Sequence, residues 1–146
     1  MSDNKIKNNQ NIIFFASKKS ANCRLYNTQK TNNILVNKKT VEEYFNNIDI
    51  YIQPIKNVIS HFNIENLGGF ICNVRSGGKS SQSNAICFAI GKFLRHRFKN
   101  TMDEEQYKEY NSILRKLGLV TVDRRFVYPK IYGRKKACKK RQTSKR

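Results

Sequence analysis

Acidic residues are what this chain is shortest of: 10 Asp/Glu stand against 29 Lys/Arg, a net charge of +19 on 146 residues. A field of that size repels itself unless something negative neutralises it, so the fitting partner is a polyanion. Metal-binding spacing is missing as well. The cysteines, Cys23, Cys72, Cys87 and Cys138, make no C-x-x-C pair, which excludes the converging thiolates of a zinc ribbon or finger. Cys72 and Cys87 lie in apolar contexts, where a reduced thiol behaves as a small core hydrophobe. His61 and His96 are 35 residues apart with no carboxylate cluster beside either, and neither reads as a ligand or a base. Long apolar runs are absent too. The longest, Ile86 to Leu94, is interrupted by Lys92 and falls far short of the roughly 18 residues of a membrane span. The basic tail has no Trp/Phe/Leu face to bury in a lipid interface. No cofactor, metal, membrane or small-molecule substrate is therefore expected.

What is present concentrates at the end. Residues 124–146 hold eleven Lys/Arg and no acid, a density that suits either a polyanion ligand or a solvated terminus that only aids solubility. Upstream, 38% hydrophobic residues, with nine Phe and seven Tyr, suffice for one core but not two. Three parts follow: a disordered extension over 1–11, an α+β domain over 12–127, and an extended basic tail over 128–146. The extension contains Asp3 and no Arg, and reads neither as a transit peptide nor as a secretory signal.

Local patterns predict the elements. Ile12 to Phe15 reads as a short buried strand, Cys23 to Tyr26 as a strand with alternating faces, and Ile34 to Val36 as a third. Asn37-Lys38-Lys39 turns the chain into a helix opening at Thr40, where Thr40 and Glu43 have capping-box spacing. Ile48 to Gln53 reads as linker or strand, and Pro54 as the first turn of a short helix ending near Phe62. Phe70 to Arg75 is the clearest strand. It leads through Ser76-Gly77-Gly78-Lys79-Ser80 into a helix over Gln82 to Phe98 with an apolar stripe of Ala85, Ile86, Ala89, Ile90, Phe93 and Leu94. A second helix spans Asp103 to Leu117, capped by Thr101 with Glu104 three residues on, and Gly118 stands at a left-handed C-cap.

Strand, glycine loop, Lys-Ser and helix is also the context of a nucleotide-binding P-loop. G-x-x-x-x-G-K-[ST] needs glycine at position 73, where Asn73 stands, and too little chain remains for a doubly wound nucleotide domain. The successive amides of Gly77-Gly78-Lys79 at a helix N-terminus still form a nest for an anionic oxygen, more naturally a nucleic-acid phosphate; the alternative is a glycine turn without a ligand.

The run Ser76-Gly77-Gly78-Lys79-Ser80-Ser81-Gln82-Ser83-Asn84-Ala85-Ile86 resembles the glycine-rich signature of the universal ninth protein of the small ribosomal subunit, in its bacterial and organellar form. Further blocks resemble that family in the same order: Ser17 to Ala21 with Arg24-Leu25, Ile34 to Asn37 with Val41 to Phe45, and Leu114 to Thr121 with Asp123-Arg124-Arg125. A Lys/Arg tail then closes on Ser144-Lys145-Arg146. The resemblance runs over about residues 12–146. Departures are Ser76 and Ser81 where the family has glycine, Cys87 and Val122 where it has arginine, and Tyr128-Pro129 where it has a Glu-Arg pair. Residues 100–106 look like a surface insertion.

The resemblance implies no enzyme. It implies a four-stranded sheet backed by helices, with the left-handed β-α-β crossover shared with the second domain of ribosomal protein five. It implies a structural constituent of the small-subunit head beside neighbouring head proteins, binding small-subunit rRNA and reaching peptidyl-site tRNA with its end. Lys18, Lys19, Arg24, Arg75, Gly77, Gly78, Lys79, Ser80, Gln82, Arg124 and Arg125 would meet rRNA. So would Arg134, Lys135, Lys136, Lys139, Lys140 and Arg141, which order the tail by neutralising phosphates. Ser144, Lys145 and Arg146 would meet tRNA, Arg146 with a bidentate fork. Tyr128 and Tyr132 either stack on unpaired bases or pack on the domain. Abundant Asn, Lys and Ile, all specified by A/T-rich codons, point to an organelle ribosome, mitochondrial first, with a plastid or an A/T-rich bacterium as alternatives. No presequence is recognisable, which favours synthesis inside the organelle or an address of another kind. A free-standing DNA binder would need a recognition helix, whereas the long helix here gives its stripe to the core.

Overall fold

Alternation along the first two strands decides which side of the sheet is covered. In β1 (Ile13–Lys18) and β2 (Ala21–Thr28), Ala16, Ala21, Cys23 and Leu25 are fully buried while Phe15, Asn22 and Arg24 point to the other side and are exposed. The computed structural model describes residues 12–28, 33–62, 68–121, 127–142 and 144. After β2 come β3 (Ile34–Val36), β4 (Lys39–Thr40), α1 (Val41–Tyr44), α2 (Asp49–His61), β5 (Gly69–Arg75), α3 (Lys79–Thr101) and α4 (Glu104–Lys116). The sheet order is β1-β2-β5-β3-β4, antiparallel except for the parallel pair β3 and β5, whose crossover carries α1 and α2. The fold is thus mixed α and β, as the patterns predict.

Five strands are present rather than four. Lys39, expected within a turn, and Thr40, expected only as a helix cap, pair back on Val36 and Leu35 through Asn37 and Lys38, both left-handed at φ 49° and 71°. Asn37 is what makes this turn possible. Its backbone N–H donates to the Cys72 carbonyl at 2.9 Å, its Nδ2 donates to the Val74 carbonyl at 2.9 Å, and its Oδ1 accepts from the Val74 N–H at 2.8 Å. A side-chain amide thereby extends the β3–β5 ladder one residue beyond the strand.

β1 also differs from expectation. Four successive apolar residues suggest a strand buried on both faces, but Ile13 and Phe15 are 52% and 50% exposed because helices cover only one side. On the covered side Phe14, Phe70 and Phe93 meet edge to face, with ring centroids 5.5 Å (Phe14 to Phe93) and 5.0 Å (Phe70 to Phe93) apart. Such pairs contribute about 0.5–1.5 kcal/mol each beyond their buried area. α3 carries the predicted stripe, fully or nearly fully buried, and also buries Gln82, Ser83 and Cys87, because it packs against both the sheet and α2.

Helix boundaries moved in three places. α2 begins at Asp49, so Pro54 lies inside it and the linker or strand expected over Ile48 to Gln53 is helical. The proline gives no N–H to the Ile50 carbonyl, in a residue 79% exposed where water can donate instead. α3 starts at Lys79 and runs to Thr101, whose Oγ1 donates to the Arg97 carbonyl at 3.0 Å, so Thr101 ends α3 rather than capping α4. Asp103 is the α4 N-cap, without a side-chain cap bond. Two expected caps hold. Thr40 Oγ1 accepts from the Glu43 N–H at 3.2 Å. Gly118, at φ +69°, closes α4 with Gly118 N–H to Arg115 O and Leu119 N–H to Leu114 O, both 3.0 Å, burying Leu119 against Leu114. Leu119 in turn sits where a Cβ on Gly91 would come within 2.8 Å of it.

Candidate nucleic-acid interface

Two turns meet at one end of the sheet. The β1–β2 hairpin turns at Lys19, φ +52°, and the β5–α3 connection turns through Ser76 and Gly77, φ +60° and +72°. They are seated on each other: a Cβ at Gly77 would lie 2.8 Å from both the Cβ and the backbone N of Ala21. Glycine at 77 is thus required twice, by its left-handed backbone and by the close approach. Ser76 adopts the left-handed conformation as well.

This contact gathers the residues singled out from sequence. Lys19, Arg75, Gly77, Gly78, Lys79 and Ser80 are exposed around the joined turns, and Lys18 is half-buried with its ammonium 5.9 Å from the Phe88 ring centroid. Arg24 lies further along the open face, paired with Asn73, while Asn22 pairs with Arg75. Gly78 is the α3 N-cap and no side chain caps it, so the first amides of the helix lie beside these cations.

Lys79 and Gln82 also have partners inside the fold. The Lys79 ammonium donates to the Tyr44 carbonyl at 2.8 Å and sits 3.8 Å from the centre of the Tyr44 ring. Gln82 is buried; its Nε2 donates to the Ser76 carbonyl at 3.1 Å, and its Oε1 accepts from the Tyr44 hydroxyl at 3.0 Å. Tyr44 therefore braces the glycine loop from α1, through Lys79 on one side and Gln82 on the other. Sequence reasoning missed Tyr44 because it is 35 and 38 residues from these partners. Beneath the sheet, Cys23, Cys72 and Cys87 are buried. The Cys72 thiol is held well above its ordinary pKa by its contact with Cys23 and by burial, and burial pushes Cys87 up to about 12. Cys72 and Cys87 are thus protonated core groups, and no cluster of three or more metal-ligating side chains occurs among the described residues.

The tail is open chain. Across 127–142 there is no helix or strand; Val127, Tyr128, Ile131 and Tyr132 are exposed, as are Lys135, Lys136, Lys139, Lys140 and Arg141, with Arg134 half-buried. Ser144 is exposed, and Arg124, Arg125, Lys145 and Arg146 lie outside the described residues.

Comparison with known proteins adds what geometry cannot. The family described as ribosomal protein S9/S16 matches residues 16–146. The chain belongs to that family. It is similar to the small ribosomal subunit protein uS9 of Rickettsia felis, at 35% identity over 97% of this chain and 82% of the relative. The protein of the same name from Rickettsia canadensis is 35% identical over 91% of this chain and 78% of its own length. That from Rickettsia conorii is 36% identical over 91% and 79%. The family is one of ribosomal structural proteins, not of enzymes, which removes the nucleotide-hydrolysing alternative for the glycine loop.

Proposed function

We propose that this chain is a structural constituent of the small ribosomal subunit, holding small-subunit rRNA in the head and touching peptidyl-site tRNA with its last residues. The observation that carries this reading is the joining of the two turns at Gly77 and Ala21 in a chain of the S9/S16 family. It brings Lys18, Lys19 and Arg75 to the turns that flank Gly78 and Ser80 at the start of α3, where no side chain caps the helix, with Arg24 further along the open face. Arg124 and Arg125 with the tail cations Arg134, Lys135, Lys136, Lys139, Lys140 and Arg141 extend the contact along rRNA, each phosphate neutralised releasing counterions. Lys79 and Gln82 act by shaping the loop. Ser144, Lys145 and Arg146 are the tRNA contact. The β3–α1–α2–β5 connection is the left-handed crossover of the family, and head proteins are the neighbours.

The ribosome is of bacterial type, supported by the Rickettsia relatives. Mitochondria are its proposed location, on codon-related composition. Sedimentation tests the central claim: the chain co-migrates with small subunits of purified organelle ribosomes, and its absence from them, by mass spectrometry, refutes the reading. Deleting Ser144 to Arg146 leaves incorporation intact and weakens tRNA binding at the peptidyl site; equal loss of both refutes the division between rRNA and tRNA contacts.

A further inference from the structure

The uncovered side of the sheet is built as if something lay on it. β1 has the apolar run of a strand covered on both faces, yet the helices pack on one. On the other side the register forms three rows. Ile13, Tyr26, Ile71 and Leu35 make the first, Phe15, Arg24 and Asn73 the second, and Ser17, Asn22 and Arg75 the third, next to the glycine loop. The face therefore grades from apolar and aromatic to cationic.

We propose that this open face is a second RNA surface that takes unpaired nucleotides, with Phe15 and Tyr26 stacking on bases and Arg24 and Arg75 holding the adjoining phosphates. The inference rests on the rRNA-binding reading above and names the kind of RNA involved. Charge decides between RNA and protein as the occupant. None of the five strands contains an Asp or Glu, so a protein laid over the apolar row would leave Arg24 desolvated without a counter-charge from this chain. RNA supplies that charge with every nucleotide. Aromatic rings on a sheet stack on unpaired bases of any sequence, and Asn22 and Asn73 place amides among them that can pair with base edges. A regular duplex buries its base faces and offers no such contact.

The test uses the full chain, a labelled uridine octamer and an eight-base-pair RNA duplex, compared by fluorescence anisotropy at one salt concentration. Phe15→Leu and Tyr26→Leu each keep an apolar side chain but remove the ring. Each should weaken octamer binding about tenfold while duplex binding changes less than about twofold. Unchanged octamer binding in both variants, or equal weakening for octamer and duplex, overturns the proposal. So does a variant that binds the octamer normally but assembles small subunits lacking another head protein, since the face would then dock protein. Because the chain has no tryptophan, Phe15→Trp gives a single-site reporter that does not depend on the leucine variants folding. Its fluorescence should be quenched by the octamer and not by the duplex, and no quenching at saturating octamer sinks the idea. Failure of the chain to sediment with small subunits would refute the ribosomal assignment and leave the octamer result standing.

Discussion

Residues 12–121 set sixteen Lys/Arg against eight Asp/Glu, whereas residues 124–146 set eleven against none. In the domain several of those cations hold the protein's own structure. Lys79 binds the Tyr44 carbonyl at 2.8 Å, Lys92 the Phe15 carbonyl at 2.7 Å at the sheet edge, and Lys56 the Glu42 carboxylate at 3.2 Å. Among the described residues of the tail, no Lys or Arg side chain makes an ion pair or hydrogen bond, and Tyr132 is fully exposed. A cation with a partner inside the fold is less available to a phosphate than one without. The same residue type thus does different work in the two regions, and net charge alone would count them alike.

The sharpest way to break this contrast is to remove the tail's charge. Alanine at Arg134, Lys135, Lys136, Lys139, Lys140 and Arg141 should lower RNA affinity on the order of a thousandfold at moderate salt and flatten the salt dependence by about four to five units of slope. The melting temperature should stay put; a parallel fall would make the tail part of the domain. Phe70→Ala attacks the other region. It should cost about 3–5 kcal/mol of unfolding free energy in denaturant titrations, while a peptide of residues 127–146 keeps its RNA affinity. Next in size is Gly77→Ala, which forces a left-handed residue against Ala21 and should destabilise by about 1–3 kcal/mol; an unchanged melting curve would mean the two turns are not seated on each other.

Thiol chemistry distinguishes the regions at low cost. Cys138 is exposed, and Cys23, Cys72 and Cys87 are buried, so a thiol reagent should titrate one cysteine quickly in the native chain and the rest only on unfolding. Burial raises the folded pKa of Cys87 to about 12 from an ordinary value of 9.0. Its stabilising contribution is therefore complete below pH 9 and falls as pH rises from there toward 12, since the unfolded chain loses the proton first. At pH 10 the loss is about 1 kcal/mol, absent in Cys87→Ala. The smallest effect belongs to Lys79→Gln. With the ammonium turned toward Tyr44, the salt slope of RNA binding should change by well under one unit, and a full unit would place Lys79 on a phosphate like the tail cations.

Features set by neighbours in the chain were readable in advance. Ile34 to Val36 stands as a strand, Thr40 caps α1, Gly118 closes α4, and the α3 stripe is buried, because each depends on residues within one or two turns. What failed was set by distant partners. Pro54 looked like a helix start because nothing local shows that Asp49 already begins one. Lys39 looked like part of a turn, and Thr40 like a cap only, because their strand partners, Val36 and Leu35, are set by the left-handed turn at Asn37 and Lys38. The candidate interface was partly legible: its residue types stood out in the glycine run and the basic blocks, but nothing local showed that Gln82 and Lys79 also bond to Tyr44.

Sequence by itself determined the excess of cations and its concentration in residues 124–146, the mixed α and β pattern, and which family the chain resembles, since charge, periodicity and short motifs are properties of contiguous residues. Tertiary structure alone decided which cations remain available, that Gly77 rests on Ala21, and that the sheet keeps an open aromatic face. Those outcomes depend on which side the helices cover and on contacts between residues tens of positions apart, where close packing rather than local preference selects the neighbour.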